Sequence, residues 1–138
     1  MNKHDDMVYA QSAAIPFRLK NRSPRVLLIT SRRSQRWIVP KGIVEDWQTP
    51  AEAALAEAFE EAGVRGAILG GSVGSYEYEK CGGTCRVEVF LMRVEEELRG
   101  WPESDFRERK WVGVDKAIEL VDHVDLRAIM QLAFGQMK

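Results

Sequence analysis

Three glutamates, Glu57, Glu60 and Glu61, stand at i, i+3 and i+4 inside the segment Pro50–Ala62. On a helix that spacing gathers their side chains on one face. The segment contains no Lys or Arg, so nothing on the same element offsets the charge, and each like-charged neighbour costs about 0.2–0.5 kcal/mol. Glu60 and Glu61 also fall in the last turn, where the macrodipole favours cations. Several local rules are thus broken within one turn, which is expected at functional sites. A divalent cation relieves the conflict. Hard ions such as Mg²⁺ take oxygen ligands, commonly a few carboxylates with water and substrate phosphate completing the shell. The competing reading is an ordinary solvated acidic face.

The elements that must position these carboxylates can be read along the chain. Thr49 is suited to N-cap, Pro50 to the first helical position and Glu52 to N3, which is a capping box; Gly63 supplies the stop. The spacing predicts a helix over 50–62, with Ala51, Leu55, Phe59 and Ala62 facing a sheet. Strands are predicted over 8–15, 26–30, 37–39, 64–69, 73–78, 86–94 and 110–114, and a second amphipathic helix over 124–134. Turns fall at 20–24, at Gly70-Gly71 and at 81–84. Basic residues fill the loop 31–36, a further loop spans 41–49, and a charged one spans 95–109. Strands outnumber helices without regular βαβ alternation. The expected fold is therefore α+β, an α/β/α sandwich in which helices flank one mixed sheet.

The chain has 138 residues and fits one domain, 1–138, with a flexible polar tail at 1–6. Its net charge is −1, from 20 basic and 21 acidic residues. That balance excludes a general nucleic-acid binder, which needs a basic excess, but leaves room for a local basic pocket. Two cysteines, Cys81 and Cys85, are too few for a disulfide scaffold and read as reduced thiols near a loop. Neither an apolar leader nor a run of the ~20 apolar residues that a membrane span needs is present. The expected location is the cytoplasm, and association into a homodimer stays open.

The segment Gly42–Val64 resembles the Nudix box, G-x5-E-x7-R-E-U-x-E-E-x-G-U with U aliphatic. Gly42, Glu57, Glu60, Glu61, Gly63 and Val64 fall in register without a gap, and Ala58 fills the aliphatic position after Glu57. The flanks from Val26 to Pro40 and from Trp111 to Ala117 are similar to the family as well. The resemblance implies a hydrolase of diphosphate linkages that uses Mg²⁺ or Mn²⁺ and acts on a small phosphorylated substrate. It implies Glu57, Glu60 and Glu61 as the catalytic set and, with the Gly42 carbonyl, as the metal ligands. An additional base from a downstream loop is common in the family; Glu103 and Glu108 are candidates, as are Glu77 and Glu79, and the pattern does not choose between them. For substrate phosphates the cations at hand are Arg32, Arg33, Arg36 and Lys41 around the strand that enters the box, and Lys80 and Arg86 beside the Gly82-Gly83 turn.

Two box positions differ. Gln48 stands where the box has Glu, and Ala56 where it has Arg. In the family these polar groups help to position the loop and the catalytic helix. Losing one alone leaves a charge without its partner, at ~1 kcal/mol or more if buried; losing both leaves neutral groups, so the changes compensate. Glu45 is placed to take over part of the orienting role. The same departures support an alternative, a catalytically weak or inactive Nudix-fold nucleotide-binding regulatory domain. Ser31-Arg32-Arg33, Arg36 to Pro40 and Arg109-Lys110-Trp111 look most like the diphosphoinositol-polyphosphate and diadenosine-polyphosphate phosphohydrolase branch.

Overall fold

The computed structural model describes residues 7–80 and 82–135; the expected tail and Cys81 lie outside them. Two long hairpins dominate. Strands β1 (Val8–Lys20) and β2 (Ser23–Thr30) are joined by Asn21 and Arg22, both at positive φ (53° and 68°). That is the backbone twist a two-residue hairpin turn requires. β5 (Val64–Lys80) and β6 (Gly83–Glu97) form the other hairpin. β1 pairs parallel with β6 and antiparallel with β2, so the sheet is mixed.

β1 and β2 stay paired only from Phe17–Lys20 and Ser23–Val26. Beyond that they separate, and two short strands occupy the gap. β3 (Trp37–Ile38) pairs with the end of β2, while β4 (Lys41–Ile43) pairs with Gln11–Ala13 of β1. Pro40 lies between them, and its carbonyl accepts from Ala14 N at 3.0 Å. β7 (Arg109–Gly113) lines the other side of β2. This split in the sheet positions the site, because it brings Lys41 and Gly42 against the helix that follows.

That helix, α1 (Pro50–Glu57), starts as its sequence dictates. Thr49 Oγ1 accepts from Glu52 N at 3.1 Å, and Glu52 Oε1 accepts from Thr49 N at 2.8 Å. Its expected buried face is corrected in detail: Ala54, Ala58 and Ala62, four apart, are fully buried, with Ala51 and Leu55 beside them. Small side chains let the helix approach Leu27, Ile29, Phe90 and Met92 of the sheet. Phe59 instead turns outward under the Arg65 guanidinium, 4.8 Å from the ring centre.

The opposite face of the sheet is covered by α2 (Val114–Leu120) and α3 (Val124–Gly135) over a core that includes Ile15, Phe17, Val87, Met130 and Phe134. The α/β/α sandwich is the expected one. Most strands run longer than predicted, because hairpin pairing carries them past the apolar stretches. Gly70-Gly71 does not break β5: the irregularity there is a register shift between Leu69 and Gly74. α2 replaces the predicted continuation of the last strand at Val114. It has no side-chain N-cap, so packing rather than a local signal makes it. Cys85 is a buried free thiol on β6. No described helix is long and apolar enough to cross a membrane.

Candidate active site

α1 does not run on as a regular helix. Ala58–Ala62 form a π-helical turn, closed by Gly63 at φ 68°. Gly63 N reaches back to both the Ala58 and Phe59 carbonyls. Such turns are rare and occur often at functional sites. The wider turn stacks residues four apart more directly. Glu57 and Glu61 therefore face the same way, while Glu60 points to solvent. The expected three-carboxylate face is thus a pair plus an exposed neighbour.

The pair sits in a confined place. Glu61 is 8% exposed, and Glu57 beside it is half-buried. Burial pushes the Glu61 carboxyl up to about 8 against the opposing pull of Arg107, and it raises Glu57 too. Lys41 N donates to Glu61 Oε1 at 3.3 Å. Gly42 is required here by space: a Cβ on it would lie 2.3 Å from Glu57 Cδ. The Glu57 carboxyl therefore rests on bare backbone.

The cations missing from the helix arrive from the segment 98–109, whose contribution the sequence did not reveal. Arg107, with a side chain 5% exposed, lies 2.8 Å from Glu103 Oε1 and 3.6 Å from Glu61 Oε2, and donates to the Thr30 carbonyl at 2.8 Å. Arg109 Nη1 donates to the Ala62 carbonyl at 2.9 Å, and its Nη2 to the Leu98 carbonyl. It thereby supplies positive charge where the macrodipole calls for it. Trp101 Nε1 donates to the Glu61 carbonyl at 2.9 Å, and its ring packs so closely on Gly63 that a Cβ there would lie 2.7 Å away. The only advance signal for this network was the density of Arg and Trp in a segment with no apolar periodicity.

A cavity of about 470 Å³, lined by Trp37, Tyr76, Tyr78, His123, Arg36 and Lys41 among others, meets the carboxyl pair at Lys41. Lys41 belongs to both places: its backbone bonds Glu61, while its Nζ lies 3.1 Å from Tyr78 Oη, which donates to Gln11 Oε1 at 2.9 Å. Tyr76 and His123 meet at a ring separation of 4.4 Å, and burial raises the Tyr76 phenol well above its ordinary range. His123 drew no attention in the sequence, because a lone His before a helix carries no spacing signal.

The remaining sequence candidates are dispersed. Arg36 lines the cavity and pairs with Asp122 at 3.1 Å. Arg32 lies over the Phe106 ring at 4.5 Å, and Arg33 is exposed in the same turn. Arg86 does not line the cavity. On β6 it alternates with buried Cys85 and Val87, so it turns to the other face and pairs with Glu77 at 2.8 Å. Glu103 is drawn to the carboxyl pair, where its charge raises both glutamates, and its backbone N donates to the Glu60 carbonyl at 3.1 Å. Glu108 is exposed, held by backbone bonds to Thr30. Gln48 Oε1 accepts from Glu45 N at 3.0 Å, which closes the loop ahead of α1 without an ion pair.

Among the described residues no three acidic, His or Cys side chains form a ready metal cage. The all-oxygen pair nonetheless fits a hard divalent ion. Mg²⁺ is usually held through one or two carboxylates plus water and substrate phosphate rather than by a complete protein cage. A confined, proton-hungry pair is relieved by an ion as well as by a proton.

Comparison with known proteins bears on this geometry. The family model described as NUDIX domain matches residues 9–132. The chain is 41% identical over 106 residues to Nudix hydrolase 13, mitochondrial, of Arabidopsis thaliana, covering 70% of this chain and 52% of that one. It is 36% identical over 113 residues to diphosphoinositol polyphosphate phosphohydrolase 3-beta of Bos taurus, covering 80% and 68%. The chain thus spans about half the length of the first and two thirds of the second. A crystal structure of C. elegans Ap4A hydrolase superposes with a TM-score of 0.79 over 96% of this chain and 100% of that one; at 21% identity this likeness shows the fold alone. A box in register, a split sheet that sets Gly42 under Glu57, and a family match over nearly the whole length agree: this chain belongs to the Nudix family.

Proposed function

We propose that this protein hydrolyses a diphosphate linkage in a small phosphorylated substrate, with Mg²⁺ or Mn²⁺ held by Glu57 and Glu61. Use of a divalent metal is general in the family. The observation that carries the reading is the pair formed by buried Glu61 and half-buried Glu57, joined through Lys41 to an open cavity. A bound divalent ion supplies neutralisation of phosphate charge, a lower pKa for water and alignment of attack with the leaving oxygen. The chain's own groups bind and orient. Gly42 lets Glu57 lie flat against backbone, and the Lys41 amide fixes one Glu61 oxygen. Lys41 and Arg36 are the cavity's cations for phosphate oxygens. Glu103 is the candidate to take the proton from attacking water, as its O–P bond forms and the bridging P–O bond breaks. Glu60, exposed at the rim, is free to join a further ion once phosphate is bound.

The cavity also bears on substrate class. Relatives and the structural neighbour carry the names diphosphoinositol polyphosphate phosphohydrolase and Ap4A hydrolase. An inositol pyrophosphate needs many cations, whereas this cavity offers Arg36 and Lys41, the first already paired with Asp122. Trp37, Tyr76, Tyr78 and His123 suit a planar ring. We therefore place nucleoside and dinucleoside polyphosphates first. The cytoplasm stays the proposed compartment, to be checked by fractionation, since three relatives are named mitochondrial.

The test is phosphate release with Mg²⁺ or Mn²⁺ over dinucleoside polyphosphates, nucleoside diphosphate sugars and inositol pyrophosphates. Turnover that disappears in Glu57→Gln and Glu61→Gln supports the proposal. Tight binding without turnover across the panel would favour the regulatory reading instead.

A further inference from the structure

We propose that Arg107 is a positioning residue that aims Glu61 and Glu103 toward the reacting phosphate, supplying from a distant loop the guanidinium that the catalytic helix lacks. The helix segment 50–62 has no cation, and Ala56 occupies the position where the box carries Arg. Arg107 is the buried guanidinium that reaches both sides of the carboxylate cluster. Its Nη1 is anchored on the Thr30 carbonyl at 2.8 Å, at the end of β2. Its Nε and Nη2 lie 2.9 Å and 2.8 Å from Glu103 Oε1, and Nη2 lies 3.6 Å from Glu61 Oε2.

The anchor is rigid. Thr30 N donates to the Glu108 carbonyl at 3.0 Å, and Thr30 Oγ1 accepts from Glu108 N at 2.9 Å, so the residue that follows Arg107 is tied to the sheet by two bonds. A planar fork fixed at one nitrogen constrains what its other nitrogens can meet. Here it sets the separation between a helix carboxylate and a loop carboxylate that would otherwise repel. An ion pair serving the loop alone would need only Glu103. The reach to Glu61 couples the loop to the helix that carries Glu57, so loop order and carboxylate aim become one variable. The charged pair of the family pattern has no counterpart in this chain, where Gln48 and Ala56 hold the two positions and Gln48 is used locally on Glu45 N.

The inference rests on the reading of Glu57 and Glu61 as the divalent-cation site. Two measurements on the full chain keep the two apart. Mn²⁺ affinity is read by electron paramagnetic resonance without substrate, and hydrolysis of a dinucleoside polyphosphate is read at saturating Mn²⁺. Arg107→Met is expected to weaken Mn²⁺ binding and lower kcat by about tenfold or more each, with KM changed by less than about threefold. Arg107→Lys, which keeps charge but loses the fork, is expected to recover part of both. Unchanged or tighter Mn²⁺ binding in the variants overturns the inference, and so does a loss confined to KM, which would make Arg107 a substrate contact. If Arg107→Met does not fold, Arg107→Lys decides: wild-type kcat and Mn²⁺ affinity refute positioning. A wild-type chain that neither binds Mn²⁺ nor turns over refutes the proposed function itself.

Discussion

Replacing Glu61 with Gln should make the metal-free protein more stable at alkaline pH while abolishing its activity. Glu61 titrates near 8 in the folded protein because burial outweighs the attraction of Arg107, whereas the unfolded chain ionises it near 4.5. Between those values the folded state holds a proton that the unfolded state has released. Stability from this group is therefore complete below about pH 4.5 and declines as pH rises toward 8. At about 1.4 kcal/mol per pKa unit, the loss between pH 5 and 8 is on the order of 3–4 kcal/mol. For a domain of this size that is roughly 10–15 °C in Tm. Gln keeps the acceptor for Lys41 N and carries no charge, so Glu61→Gln should match wild type at pH 5 and exceed it at pH 8.

The assay is urea denaturation in EDTA at pH 5, 6.5 and 8, repeated with Mg²⁺ or Mn²⁺. A divalent ion at about 100 times its Kd restores ~2.7 kcal/mol to wild type, through binding to the folded state alone. The variant should gain little. A wild-type stability that stays flat from pH 5 to 8 without metal, or a variant weaker than wild type at pH 8, would refute the reasoning. Either result means that the pair is already well solvated and holds no conflict for an ion to relieve.

Three further outcomes follow from the geometry. Gly42→Ala places a Cβ 2.3 Å from Glu57 Cδ, so the carboxylate must shift; kcat should drop by about 100-fold while circular dichroism stays native. Thr49→Ala removes the side-chain acceptor for Glu52 N in the capping box, leaving the backbone bond to Glu52 Oε1, and should cost ~1 kcal/mol in unfolding free energy with kcat/KM at the wild-type level under native conditions. His123→Ala opens the aromatic wall opposite Tyr76 and should raise KM for a nucleoside substrate by roughly three- to tenfold, a ring contact being worth ~1 kcal/mol, with kcat unchanged.

Local physics accounts for what could be read in advance. The start of α1 is determined by adjacent residues, so Thr49, Pro50 and Glu52 announced it, and Gly63 announced its end. The sheet faces were visible where apolar residues cluster, as in Val26–Ile29. The lengths of β5 and β6 were not, because pairing on both sides of the register shift between Leu69 and Gly74 carries β5 past Gly70 and Gly71, residues of low strand propensity. α2 was missed for the same reason in reverse: its helical state comes from packing on β2 and β7 and lacks a cap of its own. The π-helical turn was also invisible, and it redirects the carboxylates, pairing Glu57 with Glu61 and releasing Glu60.

The electrostatic conflict on the helix is resolved by groups far away in sequence. Arg107 and Arg109 stand 46 and 47 positions beyond Glu61 and Ala62, respectively, and no periodicity links them. Arg109 answers the macrodipole by capping the Ala62 carbonyl, which leaves the carboxyl charge itself only partly answered. Had Arg107 satisfied Glu61 fully, through a short bidentate pair, its carboxyl would lie below the ordinary range and an incoming ion would have to break that pair. The 3.6 Å approach is long enough to leave Glu61 proton-hungry and close enough to hold its direction. The cation site proposed at Glu57 and Glu61 needs this intermediate strength, in which the residual repulsion of Glu57, Glu61 and Glu103 would draw an ion in.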